Sequence, residues 1–175
     1  MNYKLLNEVL IEWNESFFED SDNTFLKSED IKKSLDRCFV YRLDEKEQIK
    51  IFGDGTSYGW PQFKKYKKKI RINGKHVELN NHGYTISIFK PGEYKIYIED
   101  IDKVTDIESM FFSCQQLVSA FIPDSVTSIG DRAFCGCRNL KTVYVEDINK
   151  FNQIKFKDKT ADPRYYGAKV IELKK

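Results

Sequence analysis

The stretch VTDIESMFFSCQQLVSAFIPD, residues 104–124, is followed at once by SVTSIGDRAFCGCRNLKTVYVED, residues 125–147. The second stretch repeats the first with an offset of 22 residues before Gly130 and 23 after it, so that Phe111 aligns with Phe134 and Cys114 with Cys137. A period of this size is typical of solenoids, in which each unit buries its apolar side only against a neighbouring unit. The sequence therefore predicts a short solenoid.

The residue pattern of the repeat is similar to that of a known family. IPDSVTSIGDRAFCGCRNLKTVYV, residues 122–145, resembles the units of the BspA-like leucine-rich repeat family. DINKFNQIKFKDKTADPRYYGAKVIEL, residues 147–173, is similar to a segment that often follows a repeat in that family. The resemblance covers roughly residues 94–173 and implies a leucine-rich-repeat fold. Because such repeats serve adhesion, partner binding and scaffolding alike, it implies no single task.

The composition describes a folded chain without a dominant charge. Of 175 residues, 41% are hydrophobic, and 29 basic residues face 27 acidic ones, for a net charge of +2. The overall balance therefore favours neither a nucleic acid nor an acidic partner. The first twenty residues contain neither an uninterrupted apolar run nor a small-residue cleavage site, so we expect no signal peptide, no membrane segment and a cytoplasmic location. The alternative role of surface adhesin would require a signal peptide.

The N-terminal half shows two kinds of periodicity. Apolar residues at helical spacing predict amphipathic helices over residues 3–18 and 28–37. From Glu47 onward the period becomes two, and Asn73-Gly74 between alternating runs indicates a hairpin. The predicted class is α+β, with N-terminal helices and an antiparallel hairpin sheet continuing into a short leucine-rich-repeat solenoid. The predicted regions are a capping region, 1–92, and the repeat region, 93–175.

Three repeat strands, centred on Tyr97, Phe121 and Tyr144, are expected to lie side by side, with a possible fourth near Val170 and Ile171. In each strand the residues flanking the centre should face the core and the centre should face out. The centres would then form an exposed aromatic column, which is the kind of surface that binds a protein. The alternative is that the column stacks on itself or lies under the N-terminal helices. The predicted protein-binding residues are Tyr97, Glu99, Phe121, Thr142, Tyr144 and Glu146.

A second candidate surface is the basic segment GWPQFKKYKKKIRINGK, residues 59–75. Clustered cations with interleaved aromatics can bind phosphates and stack on single-stranded bases, so a nucleic-acid-binding role is the alternative hypothesis. The plainer reading is that Phe63, Tyr66 and Ile70 form a buried stripe with solvated lysines around it. The residues of the nucleic-acid hypothesis are Lys64, Lys65, Lys67, Lys68, Lys69 and Arg71.

No set of residues in the sequence indicates catalysis. The chain has two histidines, at His76 and His82, and no nucleophile elbow or Gly-rich phosphate loop, so we expect neither an enzyme nor a cofactor. Cys114 and Cys137 share one repeat position and are expected to be buried, stacked thiols and not metal ligands. The leading hypothesis is a non-enzymatic intracellular protein-binding module. Its more specific form is a bacterium- or phage-encoded accessory protein that inhibits a larger host protein. The rival is a nucleic-acid binder or an inhibitor of a nucleic-acid-handling complex.

Overall fold

The computed structural model describes residues 37–44, 48–53, 70–72, 75–77, 85–87 and 91–173. All of them belong to one compact unit, Lys33–Lys175. The helices that the sequence predicts over residues 3–18 and 28–37 lie outside the described residues, apart from Arg37 at the end of the second one.

Strands dominate the part of the chain that the structure describes. They are β1 (Phe39–Leu43), β2 (Gln48–Lys50), β3 (Ile70–Ile72), β4 (Lys75–His76), β5 (Thr85–Ser87), β6 (Gly92–Ile98), β7 (Leu117–Ile122), β8 (Ser128–Ile129), β9 (Thr142–Val145), β10 (Lys155–Phe156) and β11 (Lys169–Glu172). One short helix, α1 (Ile148–Asn152), and two 3-10 turns, Ile101–Lys103 and Pro163–Tyr166, complete them.

The predicted α+β class is wrong for the part of the chain that the structure describes. The described residues form a mostly β structure built on a mixed sheet, and their longest helix, α1, has five residues. The physical reason lies in the spacing of the apolar residues, which alternate along the strands or recur once per solenoid turn. Neither spacing produces the continuous apolar stripe that a long amphipathic helix needs.

The main sheet has seven strands in the order β11-β9-β7-β1-β6-β3-β4. The three strands at the β11 end are parallel, and the remaining pairs are antiparallel. The predicted hairpin around Asn73-Gly74 is confirmed, because Ile72 pairs with Lys75 across a two-residue connection. Strands β2 and β5 form a separate antiparallel pair.

Two parallel ladders on different sides of the chain make its C-terminal part a solenoid. One ladder stacks β7, β9 and β11, and the other joins Asp106, β8 and β10. Between them, backbone hydrogen bonds of 2.7–2.9 Å connect equivalent turns, with Phe111 donating to Ala133 and Ser113 donating to Cys135. We name the three turns coil 1 (residues 104–122), coil 2 (residues 126–145) and coil 3 (residues 154–173).

The repeated residues form the core of the solenoid, as the alignment predicts. The rings of Phe111 and Phe134 stack with centroids 5.3 Å apart. Cys114 and Cys137 are both fully buried, so the prediction of buried thiols at one repeat position is confirmed. The Cys137 thiol donates to the carbonyl oxygen of Phe111 at 2.9 Å, and burial raises its pKa to about 12. A thiol in this state is a poor nucleophile and a stable part of the core.

One strand breaks the predicted stack. The sequence places β6 next to β7 as the first solenoid strand, but β1 lies between them and is antiparallel to both. This correction has a packing reason, because Phe39 on β1 lies against Phe111 of coil 1 at a centroid distance of 5.0 Å. The alternating burial of β1 shows that it covers the core as an ordinary two-sided strand.

Candidate protein-binding face

The β7–β9–β11 ladder has a core side and a solvent side. Its core side carries Ala120, Ile122, Val143 and Val145, all of which are buried, as the sequence predicts. Alternation places Ser119, Phe121, Thr142, Tyr144, Lys169 and Ile171 on the opposite side, which we call the outer face.

The central row of the outer face becomes more exposed from one strand to the next. Phe121 pairs with Tyr144, and Tyr144 pairs with Ile171. Phe121 is 1% exposed, Tyr144 is half-buried and Ile171 is 43% exposed. The register also decides which residue after Gly167 faces inward: Val170 pairs with the buried Val143, so Ile171 faces out. The accessible apolar surface of this row therefore lies on Tyr144 and Ile171.

Arg37 lies over the buried end of the row. Its guanidinium carbon is 5.0 Å from the centroid of the Phe121 ring, which is the geometry of a cation–π contact. The same guanidinium pairs with Asp102 and, at 3.0 Å, with Glu146. The expectation that Phe121 is exposed is therefore wrong, because an arginine held by two carboxylates lies against its ring. Glu146 remains beside the row, but its carboxylate is already engaged in this ion pair.

The other two residues of the predicted column lie apart from the outer-face row. Tyr97 on β6 pairs with Arg71 on β3, and β1 separates it from Phe121. Arg71 also forms an ion pair with Glu99 at 2.9 Å. The structure thus brings together Phe121, Thr142, Tyr144 and Glu146, and it places Tyr97 and Glu99 two strands away. The binding role of all six residues stays a prediction.

The basic segment is almost entirely outside the described residues. Of the six residues of the nucleic-acid hypothesis, the structure describes only Arg71, which is half-buried and paired with Glu99. The positions of Lys64, Lys65, Lys67, Lys68 and Lys69 are outside the described ranges. The one member of the set that can be placed is therefore part of the sheet surface and is already paired with a carboxylate.

Other kinds of site were sought among the residues that the structure describes. Within those ranges, no three histidine, cysteine, aspartate or glutamate side chains lie close enough to hold a metal ion. The helices of the same residues are all too short or too polar to cross a bilayer.

Sequence reasoning missed Arg37 and strand β1. The signal for β1 was available, because FVYRL alternates between apolar and polar residues directly after Arg37 and Cys38. The position of Arg37 over Phe121 depends on the order of strands in the sheet, which a local pattern does not contain. Tyr165, which is 51% exposed in coil 3, was also passed over.

Residues 104–173 form stacked coils with one parallel strand per turn. This part of the chain is therefore a solenoid, and its sheet continues into the antiparallel strands β1, β6, β3 and β4. Residues 93–161 match the family model described as BspA type Leucine rich repeat region (6 copies). This segment is therefore a BspA-type leucine-rich repeat region, and the resemblance seen in the sequence is confirmed. Comparison with curated proteins and with solved structures gives no match.

Proposed function

We propose that this chain is a non-enzymatic protein-binding module whose outer face, centred on Tyr144 and Ile171, is the contact surface. The repeat family supports a protein-interaction module in general. The observation that carries the proposal is the pairing of Tyr144 with Ile171, which puts an aromatic and an aliphatic side chain next to each other on the solvent side of a rigid ladder.

The surroundings of this pair have the make-up of a small interface. Protein interfaces combine a centre of aromatic and aliphatic side chains with a polar rim. Here Thr142 and Lys169 lie on the same face, two positions before Tyr144 and Ile171 on the same two strands. The inner sides of these strands are anchored in the solenoid core, so the face loses little conformational freedom on binding.

Arg37 and Phe121 support the face and are not its contact atoms. Phe121 is buried, and the Arg37 guanidinium is held by Asp102 and Glu146. Phe121 pairs with Tyr144 in the ladder, so the buried phenylalanine lies next to the tyrosine on the same face. A partner therefore contacts a preformed surface at Tyr144 and Ile171, next to the ion pairs of Arg37 with Asp102 and Glu146.

Site-specific photo-crosslinking tests this assignment. A photoreactive amino acid at Ile171 should capture a defined partner in cells of the native source, and the same amino acid at Arg138, an exposed position in coil 2 away from the ladder, should not. With the captured partner purified, Tyr144→Ala should weaken binding by about thirtyfold, which corresponds to the roughly 2 kcal/mol of an interface hot spot.

The matched control is Tyr165→Ala, because it removes an equally large and more exposed tyrosine that lies outside the ladder. The Tyr165→Ala variant should bind the partner with the same affinity as the unmodified chain. Equal weakening by Tyr144→Ala and Tyr165→Ala, or identical crosslinked products from positions 171 and 138, would contradict the proposed face. Unfolding curves of both variants establish that any loss of binding occurs in a folded protein.

A further inference from the structure

Among the residues that the structure describes, no strand pairs with β11 on the side away from β9. Strand β11 is the terminal strand in the order of the seven-stranded sheet, and its residues Lys169, Ile171 and Glu172 are exposed. The amides of Lys169 and Leu173 donate to coil 2, at Lys141 and Val145. Because successive amides of a strand point to opposite sides, the amides and carbonyls of Val170 and Glu172 point away from coil 2. We call these outward backbone groups the β11 edge.

The charge of the solenoid is distributed unevenly along its axis. Residues 99–131 contain seven acidic residues and one basic residue, whereas residues 132–175 contain eleven basic and five acidic residues. The exposed cations of coil 3 are Lys155, Lys157, Lys159, Arg164 and Lys169. Arg164 pairs with Asp162 and Lys157 pairs with Asp131, but no described acidic side chain forms an ion pair with Lys155 or Lys169. The end of the solenoid that carries the β11 edge is therefore basic.

From the free edge and the basic end together, we propose that the partner contributes an extended acidic segment that adds to β11 as the next strand. Strand addition satisfies the outward groups of Val170 and Glu172 with main-chain hydrogen bonds, and adjacent side chains provide specificity. An acidic side chain beside Lys169 and an apolar one beside Ile171 would continue the outer-face rows. The inference rests on the proposed protein-binding function, because Ile171 belongs to both surfaces.

A second copy of the chain fits this edge less well than an acidic segment does. Two copies meeting edge to edge would bring two basic coil 3 ends together, and each copy has an exposed lysine, Lys169, on the pairing strand itself. Like charges brought together at an interface oppose association. Charged residues on an edge strand also discourage pairing between identical edges. An acidic partner removes this repulsion and replaces it with attraction.

The probe for this proposal is a fluorescent ten-residue peptide with a valine-isoleucine pair between two runs of glutamate. Binding to the full chain is followed by fluorescence anisotropy. Two control peptides have lysine in place of every glutamate, or proline in place of the valine, which removes one backbone donor. The acidic peptide should bind at least about tenfold more tightly than either control, because each control loses charge attraction or main-chain hydrogen bonding. Equal binding of the three peptides would overturn strand addition.

Two pairs of variants then locate the binding site. Glu172→Pro and Glu172→Ala remove the same carboxylate, but only the proline removes the outward amide, so the proline variant should bind about tenfold more weakly than the alanine variant. Lys169→Glu should lose affinity for the acidic peptide, while Arg138→Glu, the same reversal on coil 2, should not. Indistinguishable behaviour within either pair would place the peptide elsewhere.

The failures of the two proposals can be told apart. If Tyr144→Ala weakens capture of the natural partner while Glu172→Pro has no effect on it, the protein-binding face stands and strand addition is wrong. If the peptide binds the edge but Tyr144→Ala leaves the natural partner bound, the outer face is wrong and the edge is retained. A chain that is dimeric in light scattering, and becomes monomeric on Glu172→Pro, would assign the edge to a second copy and overturn the acidic segment.

Discussion

The two ends of the solenoid are closed in different ways. At the coil 1 end, residues from outside the solenoid form hydrogen bonds with its backbone. The amide of Gly53 donates to the carbonyl oxygen of Met110, and the amide of Arg42 donates to that of Gln116, each at 2.9 Å. Behind this layer, the fully buried hydroxyl of Tyr41 donates to the carbonyl oxygen of Ile51 at 2.5 Å. At this end the sheet continues into further strands, and their buried side chains pack against coil 1.

At the coil 3 end, side chains take the place of a further coil. The amide of Arg132 in coil 2 is satisfied by the Asp158 carboxylate at 3.3 Å, and the amide of Gly136 by the Tyr166 hydroxyl at 3.2 Å. The ladders relate coil 2 to coil 3 by a constant shift of 27 residues, which puts Ala161 where coil 2 has Phe134. The core therefore narrows here, as expected of a terminal repeat.

This difference between the two ends indicates that the coil 1 end contributes to stability and the coil 3 end to recognition. The coil 1 end buries large aromatic side chains and satisfies its backbone internally, so it contributes mainly to folding. The coil 3 end has little apolar volume left to bury and keeps a strand edge in solvent. Substitutions at the first end should therefore lower the free energy of unfolding, and exposed substitutions at the second should change binding with small effects on stability.

The largest expected effect comes from Phe39→Ala on β1. Phe39 is 2% exposed and packs against Phe111, so its truncation should lower the free energy of unfolding by about 3–5 kcal/mol. The matched change at the other end, Ile171→Ala on the exposed side of β11, should cost less than about 1 kcal/mol. Urea unfolding followed by circular dichroism measures both values. Similar losses for the two variants would show that the ends contribute equally to stability.

Alanine substitutions at two glycines, one at each end, should differ less in their effect on the free energy of unfolding. A Cβ at Gly53 would lie 2.5 Å from the carbonyl oxygen of Ser109 and 2.8 Å from the Cβ of Phe112, so Gly53→Ala should destabilise by about 1–3 kcal/mol through overpacking. A Cβ at Gly167 would have no heavy atom within 4 Å apart from its chain neighbours. The φ of Gly167, +85°, is left-handed, so Gly167→Ala should cost about 1 kcal/mol for that reason alone.

The same unfolding measurement distinguishes the two causes. A serine at position 53 should be at least as harmful as alanine, because the obstruction is steric, whereas Gly167→Asn should recover stability relative to Gly167→Ala, since asparagine tolerates left-handed backbone. If Gly53→Ala proved harmless, the close approach of residues 51–53 to coil 1 would be wrong.

The sequence predicted the local features of the fold, but it did not predict the contacts between residues far apart in the chain. The repeat alignment predicted the buried, stacked Cys114 and Cys137 and paired Phe111 with Phe134, because a solenoid places the same position of each unit in the same environment. It also predicted the β7 and β9 strands. The insertion of β1 between β6 and β7 was not predictable from local periodicity, since strand order depends on contacts between residues far apart in sequence.

Two further features had no signal in the residues themselves. Ser109 and Arg132 occupy equivalent turns and both have left-handed backbone, with φ of 52° and 58°, although neither residue type indicates it. Phe121 is buried, and Arg37, which lies 84 positions earlier in the chain, is in contact with its ring. Alternation correctly placed Phe121 on the outer face, but it could not show what lies against that face.

The smallest expected effect is pH-dependent and belongs to the coil 3 end. The Asp158 carboxylate accepts hydrogen bonds from the hydroxyl and amide of Thr160, both at 2.6 Å, and from the amides of Ala161 and Arg132. These bonds lower the pKa of Asp158 below its ordinary value, and the Thr160 hydroxyl has the largest effect. Replacing the carboxylate by an amide in Asp158→Asn should cost about 1 kcal/mol at neutral pH.

Because the folded-state pKa of Asp158 is the lower one, the unfolded chain takes up the proton first as the pH falls. The stabilisation from Asp158 is therefore complete above the unfolded pKa of about 3.9 and disappears as the pH falls through the folded-state pKa. The difference in unfolding free energy between the unmodified chain and Asp158→Asn should stay constant from pH 7 to pH 5 and shrink below about pH 4. Asp124→Asn, which alters the ion pair of Asp124 with Lys150 and leaves Asp158 intact, provides the comparison. A difference that does not change with pH would mean that Asp158 contributes shape and not charge to this end of the solenoid.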